Sequence, residues 1–189
     1  MPPLDTTVAA RLASMRLLAL DVDGTLTDGT IGYDDTGRET KHFSIHDGLG
    51  IVLARLVGLE TAWITGRTSP LVERRARELG VTLLFQGVRD KTAVLADIAV
   101  RKGLVMENIA YMGDDLNDLP ALRIVGAALA PANAAPEVLA AAHYVTPRMG
   151  GHGAVRDAIT TILRARGDYD AALGAYLVSL SSPIATPIQ

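Results

Sequence analysis

The chain has 189 residues, 49% of them hydrophobic but only 4% aromatic, so its core must be aliphatic and of ordinary domain size. A net charge of −3 without a long basic run argues against nucleic acid as the main partner. The absence of cysteine excludes disulfides, thiol catalysis and thiolate metal sites.

The first residues, MPPLDTTVAARLASMR, lack the charged start and long apolar segment of a signal peptide. No apolar run reaches the roughly 18 residues of a membrane span. A soluble cytoplasmic protein without a membrane partner is the expectation. Leu17–Leu20 is the first predicted strand. Residues 30–45, TIGYDDTGRETKHFSI, read as two short strands around a turn at Asp34-Asp35-Thr36-Gly37. Helical pattern follows near 48–58, then a strand at Thr61–Ile64, a helix at 69–79 and a strand at Thr82–Phe85. A helix at 91–102, a strand at Ile109–Met112 and a helix at 117–124 come next. Weaker strands, Ala127–Leu129 and Tyr144–Val145, flank a helix at 135–141, and a last helix is predicted at 153–166. Leu71, Arg75 and Leu79 share one helical face, as do Val94, Ile98 and Arg101. Strands alternating with helices predict an open, doubly wound α/β fold around a parallel sheet. The stretch from Gly167 onwards holds the apolar run Ala171–Leu180 and a Pro-rich ending expected to be mobile.

In such sheets functional groups gather beyond the carboxyl ends of the strands. Asp21 directly follows the first apolar run, with Asp23 and the flexible Gly24 behind it. Strand two ends in Thr65-Gly66-Arg67. Lys91 opens the helix after strand three, and strand four ends in Gly113-Asp114-Asp115-Leu116-Asn117-Asp118. Each stretch alone also fits a capped helix start or a turn. Together they deliver carboxylates, a hydroxyl and an ammonium to one rim. Crowded carboxylates require a cation, and oxygen-only ligands suit Mg²⁺. Lys91 and Thr65 then face an anionic group, and a phosphate fits between metal, ammonium and backbone N–H groups. That arrangement permits attack by an aspartate on phosphorus.

These residues, in this order, resemble the haloacid dehalogenase superfamily of phosphatases over roughly residues 15–166. Asp21-Val22-Asp23-Gly24-Thr25 is similar to its first motif, Thr65 to its second, Lys91 to its third, and Gly113-Asp114-Asp115 with Asp118 to its fourth. The resemblance implies Asp21 as nucleophile and Asp23 as general acid, then general base. It implies Mg²⁺ on Asp21, the Asp23 carbonyl and Asp114, with Thr65 and Lys91 on the phosphoryl oxygens. Asp118 is expected to orient Lys91, with Asp115 and Asn117 outside the inner ligand set. The segment between Asp21 and Thr65 holds a hairpin and one helix, too little for a cap domain. A single domain over 1–189 is expected, with the hairpin at about 30–45 in place of a cap and a C-terminal tail at 167–189. Hairpin strand edges favour pairing with another chain.

Further stretches resemble the capless subgroup of 3-deoxy-D-manno-octulosonate 8-phosphate phosphatases. They are His46-Asp47-Gly48-Leu49-Gly50-Ile51, Ile64-Thr65-Gly66-Arg67, Phe85-Gln86-Gly87, Gly113–Asp118 and Gly150-Gly151-His152-Gly153-Ala154-Val155-Arg156. This resemblance implies a homotetramer whose sites are closed by neighbouring subunits, the tail beyond Gly167 being one candidate cover. It also implies a phosphorylated sugar acid as substrate. Gly66, Arg67, Arg75, His46, Asp47 and Gly48 are the expected binding residues, the guanidinium forks suiting its carboxylate. His46 stands where the subgroup often has Arg, and Val52 where a basic residue is common, which removes fixed positive charge from the expected substrate rim. The readings left open are a nonulosonate 9-phosphate or another phosphorylated metabolite as substrate, and a non-catalytic oligomeric binding module.

Overall fold

The computed structural model describes residues 4–181. Its centre is Leu17–Leu20 (β1), four fully buried aliphatic residues that alternate between two cores. Leu18 and Leu20 enter one core, Leu17 and Ala19 the other. A strand buried on both faces cannot alternate polar with apolar, which is why this run is continuously hydrophobic. β1 pairs in parallel with Glu60–Ile64 (β4) on one side and Ile109–Met112 (β6) on the other. Leu83–Phe85 (β5) lies outside β4, and Ala127–Ala130 (β7) and Tyr144–Val145 (β8) extend the sheet beyond β6. The strand order is β5-β4-β1-β6-β7-β8. The chain winds outward from β1 to β5, then returns to start again at β6. The crevice beside β1 is therefore the topological switch point, where a ligand is expected.

Thr6–Ala13 (α1), Ile45–Leu56 (α2), Pro70–Leu79 (α3) and Ala154–Arg166 (α7) cover the face that carries Trp63. Lys91–Lys102 (α4), Leu119–Leu122 (α5) and Pro136–Ala141 (α6) cover the other. Gly32–Tyr33 (β2) and Glu39–Thr40 (β3) form a separate two-stranded antiparallel hairpin.

Four features differ from the sequence reading. α1 is present although only Leu12 in it is buried; Asp5 caps it by accepting the N–H groups of Thr7 and Val8. The helix predicted at 117–124 divides into a 3₁₀ turn at Leu116–Asp118 and the short α5, which has Pro120 in its first turn. Asp115 and Asp118 form a capping box at the start of that turn, their side chains accepting the amides of Asp114, Asp115 and Leu116. Tyr169–Ser181 is a helix (α8) whose Ala172 is fully buried, packed on α2 and α7 of its own chain. The Pro-rich ending expected to be mobile lies in 182–189, outside the described residues. Finally, Val52 is 3% exposed within the α2-facing core, so this position belongs to the packing and not to a substrate rim.

Among the described residues no helix is long and apolar enough to cross a membrane.

Candidate active site

The last residue of β1 hands the chain to Asp21, whose N–H still donates to the Met112 carbonyl of β6. The loop then turns back on itself: the amides of Thr25, Leu26 and Thr27 all converge on the Val22 carbonyl. Gly24 adopts φ +102°, and a Cβ there would overlap the Asp114 carboxylate. Glycine thus creates a cradle in which a carboxylate from β6 meets the β1 loop. Thr25 Oγ1 donates to Asp114 Oδ1 at 3.2 Å. Gly150 and Gly151 press on the same loop from outside, and the Gly151 N–H donates to the Thr25 carbonyl at 3.1 Å.

Lys91 is the first residue of α4, which Asp90 caps through the amides of Thr92 and Ala93. It is only 4% exposed, and its Nζ lies 2.6 Å from Asp21 Oδ1 and 2.5 Å from Asp118 Oδ1. Burial pulls the ammonium toward neutrality, but the carboxylates of Asp21 and Asp118 outweigh it, and the net shift is upward. Asp118 is fully buried. Its Oδ1 also accepts the Tyr111 hydroxyl at 2.6 Å, and its Oδ2 accepts the amides of Asp114 and Asp115 at 3.0 and 3.2 Å. Asp115, by contrast, is exposed and accepts the Leu116 N–H. Asn117 is exposed.

Asp21 is pushed up to about 7, first by burial, with Asp118 and Asp114 adding repulsion that Lys91 partly offsets. Asp114 is likewise pushed up to about 7 by burial and by Asp118. Asp21, Asp114 and Asp118 each place a carboxylate oxygen within 4.8 Å of the others. Both Asp118 oxygens are already engaged by four donors, which leaves Asp21 and Asp114 as the members of this cluster that could hold a cation. This all-oxygen set fits Mg²⁺. The ion must displace the protons held below about pH 7, so Mg²⁺ affinity is expected to weaken as pH falls through that value. Calorimetric titration in buffers of different ionisation enthalpy measures the released protons. An affinity constant between about pH 5.5 and about pH 8 would contradict the assignment.

On the β4 side, Thr65 Oγ1 donates to Asp23 Oδ2 at 3.4 Å and accepts the Arg67 N–H at 3.2 Å. Gly66 is exposed, and Arg67 is half-buried at the rim. Gln86 accepts the Ser69 N–H at 2.8 Å and so ties this loop to the one after β5. The hairpin reaches the site through residues the sequence reading did not single out. Arg67 pairs with Glu39 at 2.6 Å and hydrogen-bonds Tyr33. Lys41, on the hairpin's return arm, pairs with Asp23. The only local signal for them was a short charged alternation, Glu39-Thr40-Lys41, inside a segment read as strand edge. Tyr111 was hidden in the same way within an apolar strand.

The remaining expected binding residues have other partners or face solvent. Asp47 is 1% exposed and accepts the N–H groups of Gly153 and Arg156, capping α7. Gly48 is buried against the Arg75 guanidinium, which pairs with Glu78 at 3.2 Å. His46 is exposed in the first turn of α2.

The sequence also has close relatives among known proteins. The sequence model described as haloacid dehalogenase-like hydrolase matches residues 81–159. The chain is 43% identical over 172 residues to the 3-deoxy-D-manno-octulosonate 8-phosphate phosphatase KdsC of Escherichia coli strain K12, covering 91% of this chain and 92% of that protein. It superposes on the phosphatase of the same name from Yersinia pestis with a TM-score of 0.87 at 41% identity, over 89% of this chain and 91% of that one. The structure of the Moraxella catarrhalis phosphatase, in complex with a magnesium ion, a phosphate ion and a KDO molecule, gives a TM-score of 0.86 at 39% identity over 89% and 97% of the two chains.

Proposed function

The chain belongs to the haloacid dehalogenase-like hydrolases and, within them, to the 3-deoxy-D-manno-octulosonate 8-phosphate phosphatases, and from that membership we propose that Asp21 attacks the phosphorus of this sugar-acid phosphate. The protein is a Mg²⁺-dependent phosphoric monoester hydrolase. The observation that carries the assignment of roles is the buried Asp21–Lys91–Asp118 bridge with Asp114 beside it.

Asp21 forms a bond to phosphorus as the ester P–O bond breaks, and Asp23 gives its proton to the departing alkoxide. Asp23 then takes a proton from water, whose oxygen attacks the aspartyl-phosphate, releasing phosphate and restoring Asp21. Lys91 and Thr65 hold the phosphoryl oxygens, and Asp118 with Tyr111 behind it fixes Lys91. When bound to Asp21, Asp114 and the Asp23 carbonyl, Mg²⁺ supplies positive charge for the phosphoryl group. The exposed part of Arg67 offers donors to a sugar carboxylate. Phosphate release across purified sugar-acid phosphates, with and without Mg²⁺, tests this reading. The octulosonate 8-phosphate is expected to be preferred and chelation to abolish turnover. Preference for a nonulosonate 9-phosphate, the reading that His46 keeps open, or no preference at all, would reject the substrate.

The functional unit in this proposal is a cytoplasmic homotetramer. Its support is the hairpin, whose Ile31 and Tyr33 are 53% and 65% exposed beside strand edges that no other described strand pairs. Light scattering at micromolar concentration is expected to give four chains, and a strict monomer would reject it.

A further inference from the structure

We propose that Lys41 is a positioning residue for the proton-transferring carboxyl of Asp23, through which the hairpin sets the direction of general acid catalysis; the inference rests on the phosphatase reading above. The Lys41 side chain is 2% exposed, an unfavourable place for an ammonium unless carboxylates meet it. Two do so: Asp23 through Oδ1, and Glu39 through Oε1 at 3.6 Å. Glu39 is itself anchored on the loop after β4, where its Oε1 takes Arg67 Nη2 at 2.6 Å and its Oε2 takes the Ser69 hydroxyl at 2.7 Å. Lys41 is thus held from the hairpin side and in turn holds Asp23 on the β1 loop.

The remaining neighbours of the Asp23 carboxyl are weaker. Oδ2 has Thr65 Oγ1 at 3.4 Å and Arg67 Nε at 4.0 Å. Without Lys41, no side-chain partner among the described residues lies within 3.2 Å to fix the rotation of this carboxyl. An ammonium donates and never accepts. It therefore occupies Oδ1 and leaves Oδ2, on the Thr65 side, as the oxygen that carries the proton. That proton passes from Oδ2 to the ester oxygen as the P–O bond breaks, and Oδ2 later receives the proton of the attacking water. Lys41 touches neither phosphate nor nucleophile in this scheme; it acts through Asp23.

Leaving-group dependence separates this role from a structural one. An alkoxide needs the acid's proton to depart, whereas p-nitrophenolate leaves without it. Single-turnover release of the leaving group, measured with the sugar-acid phosphate and with p-nitrophenyl phosphate, isolates the first step. Lys41→Met is expected to slow the sugar ester at least about tenfold more than the aryl ester, within the usual range of general acid catalysis. Lys41→Arg is expected to restore most of the ratio. In an Asp23→Asn background, Lys41→Met is expected to add no further loss, because its route of action is gone. Equal losses on both esters, or a full additional loss in the Asp23→Asn background, would overturn the proposal. Should Lys41→Met fail to fold by thermal melting, Lys41→Ser, which admits water into the vacated space, carries the same comparison. Wild-type protein inactive on both esters would instead reject the phosphatase reading itself.

Discussion

Replacing Asp21 with Asn is expected to lower phosphate release by about 10⁴-fold or more and to leave the fold intact. The amide matches the carboxylate in shape but cannot form the acyl-phosphate bond at a useful rate. The fold should tolerate it because Asp21 is not held there by favourable charge alone. Burial and the nearby Asp118 and Asp114 push its carboxyl up to about 7, so neutralising it relieves repulsion. Lys91 keeps Asp118 Oδ1 at 2.5 Å and does not become an unpaired buried cation. The melting temperature is therefore expected to hold or rise while turnover disappears. Equal phosphate release from variant and wild type would remove the aspartyl-phosphate route.

Asp47→Ala is expected to do the reverse, with its main cost in stability. Asp47 accepts the Arg156 N–H at 2.7 Å and the Gly153 N–H at 3.2 Å, both at the start of α7. Burial raises its carboxyl above the ordinary range while those two donors pull it back, so the group is useful only because the amides face it. Alanine leaves both amides without their acceptor in an enclosed place, at a cost of about 2–4 kcal/mol. For a chain of this size that corresponds to a melting point about 5–15 °C lower. Some activity should be lost too, since the glycine loop beside Gly153 braces Thr25 and the β1 loop. A melting point within about 2 °C of wild type would show that the cap is dispensable.

The two variants mark where local sequence was informative. β1 and β6, each a four-residue apolar run, and α4, with Val94, Ile98 and Arg101 on one face, lie where the apolar pattern put them. Their signals are local, because a strand buried on both faces and a helix with one apolar face each leave a mark within a dozen residues. The rim followed, since parallel strands must present their carboxyl ends together. Contacts made across the chain were not legible. Asp47 in a His-Asp-Gly stretch reads as a rim residue, and only the packing of α2 against α7 turns it into a cap. Val52 reads as a missing charge until the face of α2 that enters the core is known. Lys41 is not singled out by the sequence, because its partners Asp23 and Glu39 are brought to it only by the fold of the hairpin arm. α1 left a faint trace because only one of its residues is buried.

The bond from Asp47 to the amides of residues 153 and 156 has a consequence for biosynthesis. Every acidic group of the reaction centre has left the ribosome long before the glycine loop that braces it. A nascent chain paused after β8 would carry its nucleophile and its lysine on an unfinished scaffold, with the first helix after the hairpin still lacking the segment it must clasp. Competence should therefore arrive late and abruptly during translation, as the segment from Gly150 through α7 folds back onto α2.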